Sequence, residues 1–178
     1  PFDTALRFAL AGNVIDFGAY SASQLEGRRL MQAIDEIFSG ELAGVDLETL
    51  RTVINQARRI LYIGDNAGEC FFDRILLENL PLEKVTYSVR GGAVINDATR
   101  LDAQKAGIDG LCPVIDTGDR APGVLLERCS REFRQEFRSS DLVIAKGQGN
   151  YESLSGRKDR TYVFVTKVKC DVIARDIG

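Results

Sequence analysis

The chain has 178 residues and a formal charge of −3, from 23 Lys plus Arg against 26 Asp plus Glu, with 44% hydrophobic and 28% charged residues. That composition suits one globular domain or slightly more, large enough to bury a core without disulfides, and it excludes a disordered chain. A pI near 5.1 excludes a nucleic-acid binder driven by bulk positive charge.

The chain opens on Pro1, and its first twenty or so residues read as the middle of something longer. Residues 22–38 place Leu25, Leu30, Ile34, Ile37 and Phe38 at helical spacing, and Ser39-Gly40 ends that helix. Residues 46–57 predict a second helix with Asp46 as its N-cap. From residue 59 the rhythm changes. Strands are predicted at 60–63, 85–89, 113–115, 142–145 and 162–165. Helices are predicted at 68–80, 97–106, 122–137 (broken) and 151–155, with a last one starting near 170. Strands alternating with helices indicate βαβ units, and the near-continuous apolar strands indicate a mainly parallel sheet covered on both faces. The expected fold is α/β. A helical segment over 1–58 precedes an α/β domain over 59–178, and 116–123 is the clearest loop.

No apolar run approaches the ~18 residues of a membrane helix, and no secretory leader opens the chain. Cys70, Cys112, Cys129 and Cys170 lack metal-type or disulfide-framework spacing, so a cytoplasmic setting is expected. The chain has no His. That removes His triads, His-metal clusters and imidazole acid–base chemistry together. A metal here would need oxygen or thiolate ligands, and oxygen-only sites suit hard cations.

Ligands of open α/β sheets bind beyond the carboxyl ends of the strands. The first strand leads into Gly64-Asp65-Asn66-Ala67-Gly68-Glu69. Asp65 and Asn66 offer hard oxygen donors, and Gly64 and Gly68 allow a tight turn; equally, either Asx residue suits an N-cap. Asn96-Asp97 is a second such pair after the second strand. It too could be a cap, or the two pairs together could supply one cation. Glu69 reads as a general base, or simply as an acid favoured at a helix start. Lys146-Gly147-Gln148-Gly149-Asn150 could cradle phosphate or form a plain turn, and it is not a P-loop. Arg90-Gly91-Gly92 offers an anion contact or a surface Arg. Gly12-Asn13-Val14-Ile15-Asp16-Phe17-Gly18 by itself looks like a turn, and the aromatic and Cys residues read as core.

Taken together, GNVIDFG (12–18), DNAGE (65–69), RGGAVINDAT (90–99), AKGQGNYE (145–152) and KCDVIA (169–174) resemble the metal-dependent damage-control phosphatase family, long catalogued as a domain of unknown function. The resemblance runs in order from about residue 10 to the end. It implies a prokaryotic-type member with a Rossmann-like three-layer α/β/α core, lacking most of the family's N-terminal helical region. It further implies one divalent cation (Mn, Co, Ni or Mg) and hydrolysis of small phosphate esters, such as sugar phosphates or damaged phosphorylated metabolites. By the resemblance, Asp65, Asn66 and Asp97 hold the metal and Lys146 holds substrate phosphate. Glu69, Arg90, Asn96, Gly147 and Asn150 belong to the pocket, and Asn13 and Asp16 line it. The implied partner is a small phosphorylated metabolite, with no nucleic acid and no membrane.

The expected mechanism is attack of water on a phosphoryl group polarised by the cation, with Lys146 neutralising developing charge. Without His, the general base is a carboxylate or cation-activated water. A covalent aspartyl-phosphate route through Asp65 ranks lower. Two other functions fit the same residues. One is an S-adenosylmethionine-dependent carboxyl methyltransferase, from the Gly-rich turn at 64–68, which lacks the full dinucleotide fingerprint. The other is a non-enzymatic module that binds a phosphorylated metabolite.

Overall fold

The structure, a computed structural model, describes residues 1–14, 24–40, 42 and 46–166. Five strands form one sheet: β1 (Ile60–Ile63), β2 (Val85–Val89), β3 (Val114–Asp116), β4 (Leu142–Lys146) and β5 (Thr161–Val165). Their order is β3-β2-β1-β4-β5, and every pairing is parallel. β1, β2 and β4 are buried along their whole length, as strands covered on both faces must be. The expected α/β architecture with a parallel sheet is therefore the observed one.

Alternation along the strands divides the core in two. Ile60 and Tyr62 of β1, Val85, Tyr87 and Val89 of β2, and Leu142 and Ile144 of β4 face one layer of helices. That layer comprises α1 (Phe2–Val14), α3 (Leu47–Gln56), α4 (Cys70–Leu77) and α5 (Arg100–Lys105). Leu61, Ile63, Val143 and Ala145 face the other layer, built from α6 (Arg131–Ser139) and α7 (Gln148–Leu154).

Local chemistry sets the helix ends. The Asp46 carboxylate accepts from the backbone N–H of Glu48 at 3.0 Å and of Thr49 at 2.9 Å, so it is the N-cap of α3 as expected. Leu50 and Ile54, one turn apart, bury the helix's apolar side. The broken helix expected at 122–137 proves to start late. The Ser130 hydroxyl caps α6 by accepting from Phe133 N–H at 3.1 Å, and the preceding residues, opened by Pro122-Gly123, form turns. Phe133 and Phe137 anchor α6 at 0% and 1% exposure; truncating such a ring costs about 3–5 kcal/mol.

α1 falls in the helical segment expected over 1–58, although no individual helix was placed there. Phe2, Ala5, Leu6 and Ala9 give it a buried stripe in the same core as α4. Its end takes in Gly12, Asn13 and Val14, where a turn was expected. α2 (Gln24–Ser39) docks on it through an edge-to-face pair of Phe8 and Phe38 at 5.0 Å. Arg7 also donates to the carbonyls of Ile37 and, at 2.8 Å, Gly40. No helix among the described residues is long and apolar enough to cross a membrane. The helix expected near 170 lies outside the described residues.

Candidate active site

Register brings three strand exits level. Ile63 pairs with both Ser88 and Ala145, so Asp65, Arg90 and Gly147 each emerge two residues beyond one common line. Between β1 and β4 the strand order reverses, which opens the crevice where α/β sheets bind ligands.

The turns after β1 and β2 are joined by backbone hydrogen bonds. Ala67 N–H donates to Asn96 O at 2.8 Å, Ala98 N–H to Asp65 O at 2.7 Å, and Arg90 N–H to Ala98 O at 2.9 Å. Asn66 and Asp97 form an antiparallel bridge. The two Asx pairs, 30 residues apart in sequence, thus lie side by side. Neither pair is spent on capping. A 3-10 turn over Ala67–Glu69 precedes α4, and the Asn66 side chain makes no capping bond to it. At α5 the N-cap is Thr99, whose N–H and hydroxyl donate to Asp102 at 3.0 and 2.6 Å.

The Asn66 amide donates to Glu69 Oε1 at 2.7 Å and to Asp65 Oδ2 at 3.2 Å. Asn13, at the end of α1, donates to Asp65 Oδ2 at 3.3 Å and Glu69 Oε1 at 3.2 Å. Burial pushes the Asp65 carboxyl up to about 7, reinforced by the charges of Glu69 and Asp97 and opposed by Arg90 and Lys146. A carboxyl so disposed is short of positive charge.

Arg90 is 1% exposed. Its Nε donates to Asp97 Oδ2 at 2.6 Å, and one terminal nitrogen lies 3.9 Å from Asp65 Oδ1. Both terminal nitrogens, Nη1 and Nη2, are buried without a hydrogen-bond partner among the described residues. An unpaired buried guanidinium edge is costly unless an anion completes it.

Lys146 is fully buried, at the end of β4. Its ammonium donates to Glu69 Oε2, Asp73 Oδ1 and the Ala9 carbonyl, each at 2.8 Å. Burial pulls this ammonium down, but Asp73 and Glu69 outweigh it and raise it above the ordinary lysine value. In this arrangement all three donors have protein acceptors. Asn150, also fully buried, donates to Gly64 O at 3.2 Å and Lys146 O at 2.7 Å, tying the exits of β1 and β4 together. Gly147 has φ +76° and lies so close to Asp65 that a Cβ there would fall 1.9 Å from Oδ2. Asp16 and the KCDVIA block lie outside the described residues.

Sequence reasoning missed Asp73, Tyr62 and Tyr87. The Asp73 carboxylate accepts from Tyr62 and Tyr87 hydroxyls, each at 2.8 Å, as well as from Lys146. One signal was available: Asp73 follows Glu69 by four residues and so shares its helix face.

All of residues 1–178 match the family model of the damage-control phosphatase ARMT1-like domain. The chain belongs to that family. It is 42% identical over 179 residues to an uncharacterized protein of Methanocaldococcus jannaschii, covering 95% of this chain and 57% of that protein. It is 39% identical over 180 residues to the damage-control phosphatase PH1575 of Pyrococcus horikoshii (99% and 61%). To a damage-control phosphatase of Archaeoglobus fulgidus it is 34% identical over 189 residues (100% and 62%). The crystal structure of a DUF89-family protein, PH1575 from P. horikoshii, superposes with a TM-score of 0.85 at 39% identity, over 99% of this chain and 61% of that one. The chain spans about three-fifths of the length of the curated relatives it matches.

Proposed function

We propose that this chain carries the catalytic core of a divalent-cation-dependent phosphatase. Its substrates would be small phosphate esters, sugar phosphates or damaged phosphorylated metabolites. The observation that carries the reading is the pairing of Arg90 with the joined turns: two guanidinium nitrogens without a hydrogen-bond partner among the described residues, one of them 3.9 Å from Asp65, beside Asp97 and Asn66. The names of the P. horikoshii and A. fulgidus relatives support it.

The donor set suits a hard cation. Among the described residues no three His, Cys, Asp or Glu side chains form a metal-type group; the proposed ligands are two acids, Asp65 and Asp97, and the Asn66 amide oxygen. Among the described residues, Asp65, Glu69, Asp73 and Asp97 face only Arg90 and Lys146 as close cations. That surplus of negative charge is what a divalent ion (Mn, Co, Ni or Mg) would neutralise. When bound, the cation supplies Lewis-acid polarisation of the phosphoryl group.

The chain's own residues do the rest. The Arg90 terminal nitrogens receive non-bridging phosphoryl oxygens, with Asp97 holding the guanidinium plane through Nε. Asn13 and Asn66 hold Glu69 by hydrogen bonds, and Glu69 is the carboxylate proposed to accept a proton from the attacking water. Lys146 adds fixed positive charge from within the protein, through Glu69. Asn150 and Gly147 hold the β4 exit against Asp65, and the Asn96 carbonyl pins the turn after β1.

The test is phosphate release from p-nitrophenyl phosphate and a sugar-phosphate panel, in EDTA and then with Mg, Mn, Co and Ni in turn. Release should require a cation and fall at least ~100-fold in Asp65→Ala, the scale of losing a group that acts in the transition state. Release that persists in EDTA, or an unchanged rate in Asp65→Ala, overturns the reading.

A further inference from the structure

We infer that Asp73 is a positioning residue: clamped by Tyr62 and Tyr87, it fixes the Lys146 ammonium and, through Lys146, the Glu69 carboxylate against Asn66. Tyr62 and Tyr87 are register partners on β1 and β2, and their rings stack at 5.3 Å. Both hydroxyls therefore point the same way, onto one carboxylate. Asp73 Oδ1 accepts from Tyr62 and Lys146, and Oδ2 accepts from Tyr87. All four side chains are 0% exposed. Burial first, and then the neighbouring Asp73 charge, keep both phenols protonated, so each has an O–H to donate to that carboxylate.

Stability alone does not account for this cluster. A buried ion pair does little better than well-packed apolar side chains of the same volume. Its geometry, however, is directional. Asp73 and Glu69 share the Lys146 ammonium, so Glu69 is not fully neutralised by it. Glu69 Oε1 then takes both amides, Asn66 at 2.7 Å and Asn13 at 3.2 Å. The path runs from two core tyrosines, through Asp73, Lys146 and Glu69, to the Asn66 side chain. Each link is a hydrogen bond to a charged group, the strongest kind available.

The inference rests on the phosphatase reading for its kinetic readout only. The test compares Tyr62→Phe, Tyr87→Phe and Asp73→Asn with wild type in the full chain. Each Tyr variant removes one hydroxyl and leaves the ring in place, so it stays informative if Asp73→Asn does not fold. Two nitrogen-15 NMR signals are followed: the Lys146 side-chain ammonium, visible when hydrogen-bonded and shielded, and the Asn66 side-chain amide. kcat and KM are measured on p-nitrophenyl phosphate with the activating cation. In each variant the Lys146 signal should broaden or vanish and the Asn66 amide should shift. kcat should fall about threefold to tenfold for each lost hydroxyl and about 10–100-fold for Asp73→Asn, with KM near wild type. A purely structural role would lower the melting temperature while the Asn66 amide and kcat of the folded protein stayed put, and that result overturns the inference. If wild type releases no phosphate with any cation, the phosphatase reading fails. The clamp is then decided by NMR alone, and an Asn66 amide that does not move in the Tyr variants refutes it.

Discussion

Replacing Gly147 with Ala tests whether the position of Asp65 matters, without touching its carboxylate. Two effects follow from the local geometry. Gly147 has φ +76° and ψ 167°, a conformation essentially reserved for glycine, so a side chain there costs about 1–3 kcal/mol. At roughly 2–4 °C per kcal/mol for a chain of this size, the melting temperature should fall by about 5 °C. The second effect is steric. A Cβ would sit 1.9 Å from Asp65 Oδ2 and 2.2 Å from Cγ, whereas ordinary contact begins near 3.4 Å, so the carboxylate must retreat by about 1.5 Å. A reacting group misplaced by about 1 Å can lose a factor of ~100 in rate. Phosphate release by Gly147→Ala should therefore fall by about that factor, well beyond what a few degrees of lost stability explains at 25 °C. Gly110→Ala and Gly156→Ala serve as controls, because a Cβ at either position meets nothing within 4 Å; both should keep wild-type rates. If Gly147→Ala melts lower yet keeps kcat/KM within about twofold, the placement of Asp65 is irrelevant to the chemistry and the site assignment fails.

Two further outcomes are expected. Asp141 accepts from the backbone N–H of Arg58 and Arg59 at 2.9–3.1 Å. The Arg59 backbone bond does most to lower its carboxyl pKa, to about 2; burial works against it, and the Arg58 bonds lower it further. A depressed folded-state value adds stability that is present above the unfolded value near 3.8 and is lost as pH falls through about 2. The side chain is 35% exposed, so solvent screening halves the contribution to about 1 kcal/mol. Urea unfolding should show Asp141→Asn less stable by that amount at pH 7, with the gap closing between pH 4 and pH 2; a gap independent of pH would refute the account. Burial also pushes the thiols of Cys70, Cys112 and Cys129 up to about 12, 11 and 11. Peptide mapping after brief iodoacetamide treatment at pH 8 should find these three unmodified in the native protein and fully modified in urea. Rapid native labelling of any of them would contradict their burial.

Local pattern foretold most of the sheet. β1 and β2 occur where their apolar β-rich runs predict them, β3 is shifted by one residue, and β4 and β5 each gain one. Asp46 caps α3 because capping is decided within three residues. α1 was expected only as part of a helical segment, without bounds, although Phe2, Ala5, Leu6 and Ala9 have helical spacing, since their apolar face has meaning only once α4 is there to receive it. The DNAGE and NDAT blocks were expected at the exits of β1 and β2, and the structure sets those two turns side by side.

What each residue touches was decided elsewhere in the chain. Nothing near residues 65–69 or 96–98 in sequence says that the two turns join edge to edge; that follows from the parallel register of β1 and β2. The KGQGN block read as a phosphate cradle, yet Lys146 is met by Glu69, Asp73 and Ala9, the last of them 137 residues away in sequence. Asp73 carries no motif and acquires its neighbours only when Tyr62 and Tyr87 stack across two strands. Helix caps, turns and hydrophobic periodicity are short-range and can be read residue by residue. The desolvation and pairing of buried charges depend on groups that only the tertiary fold brings together.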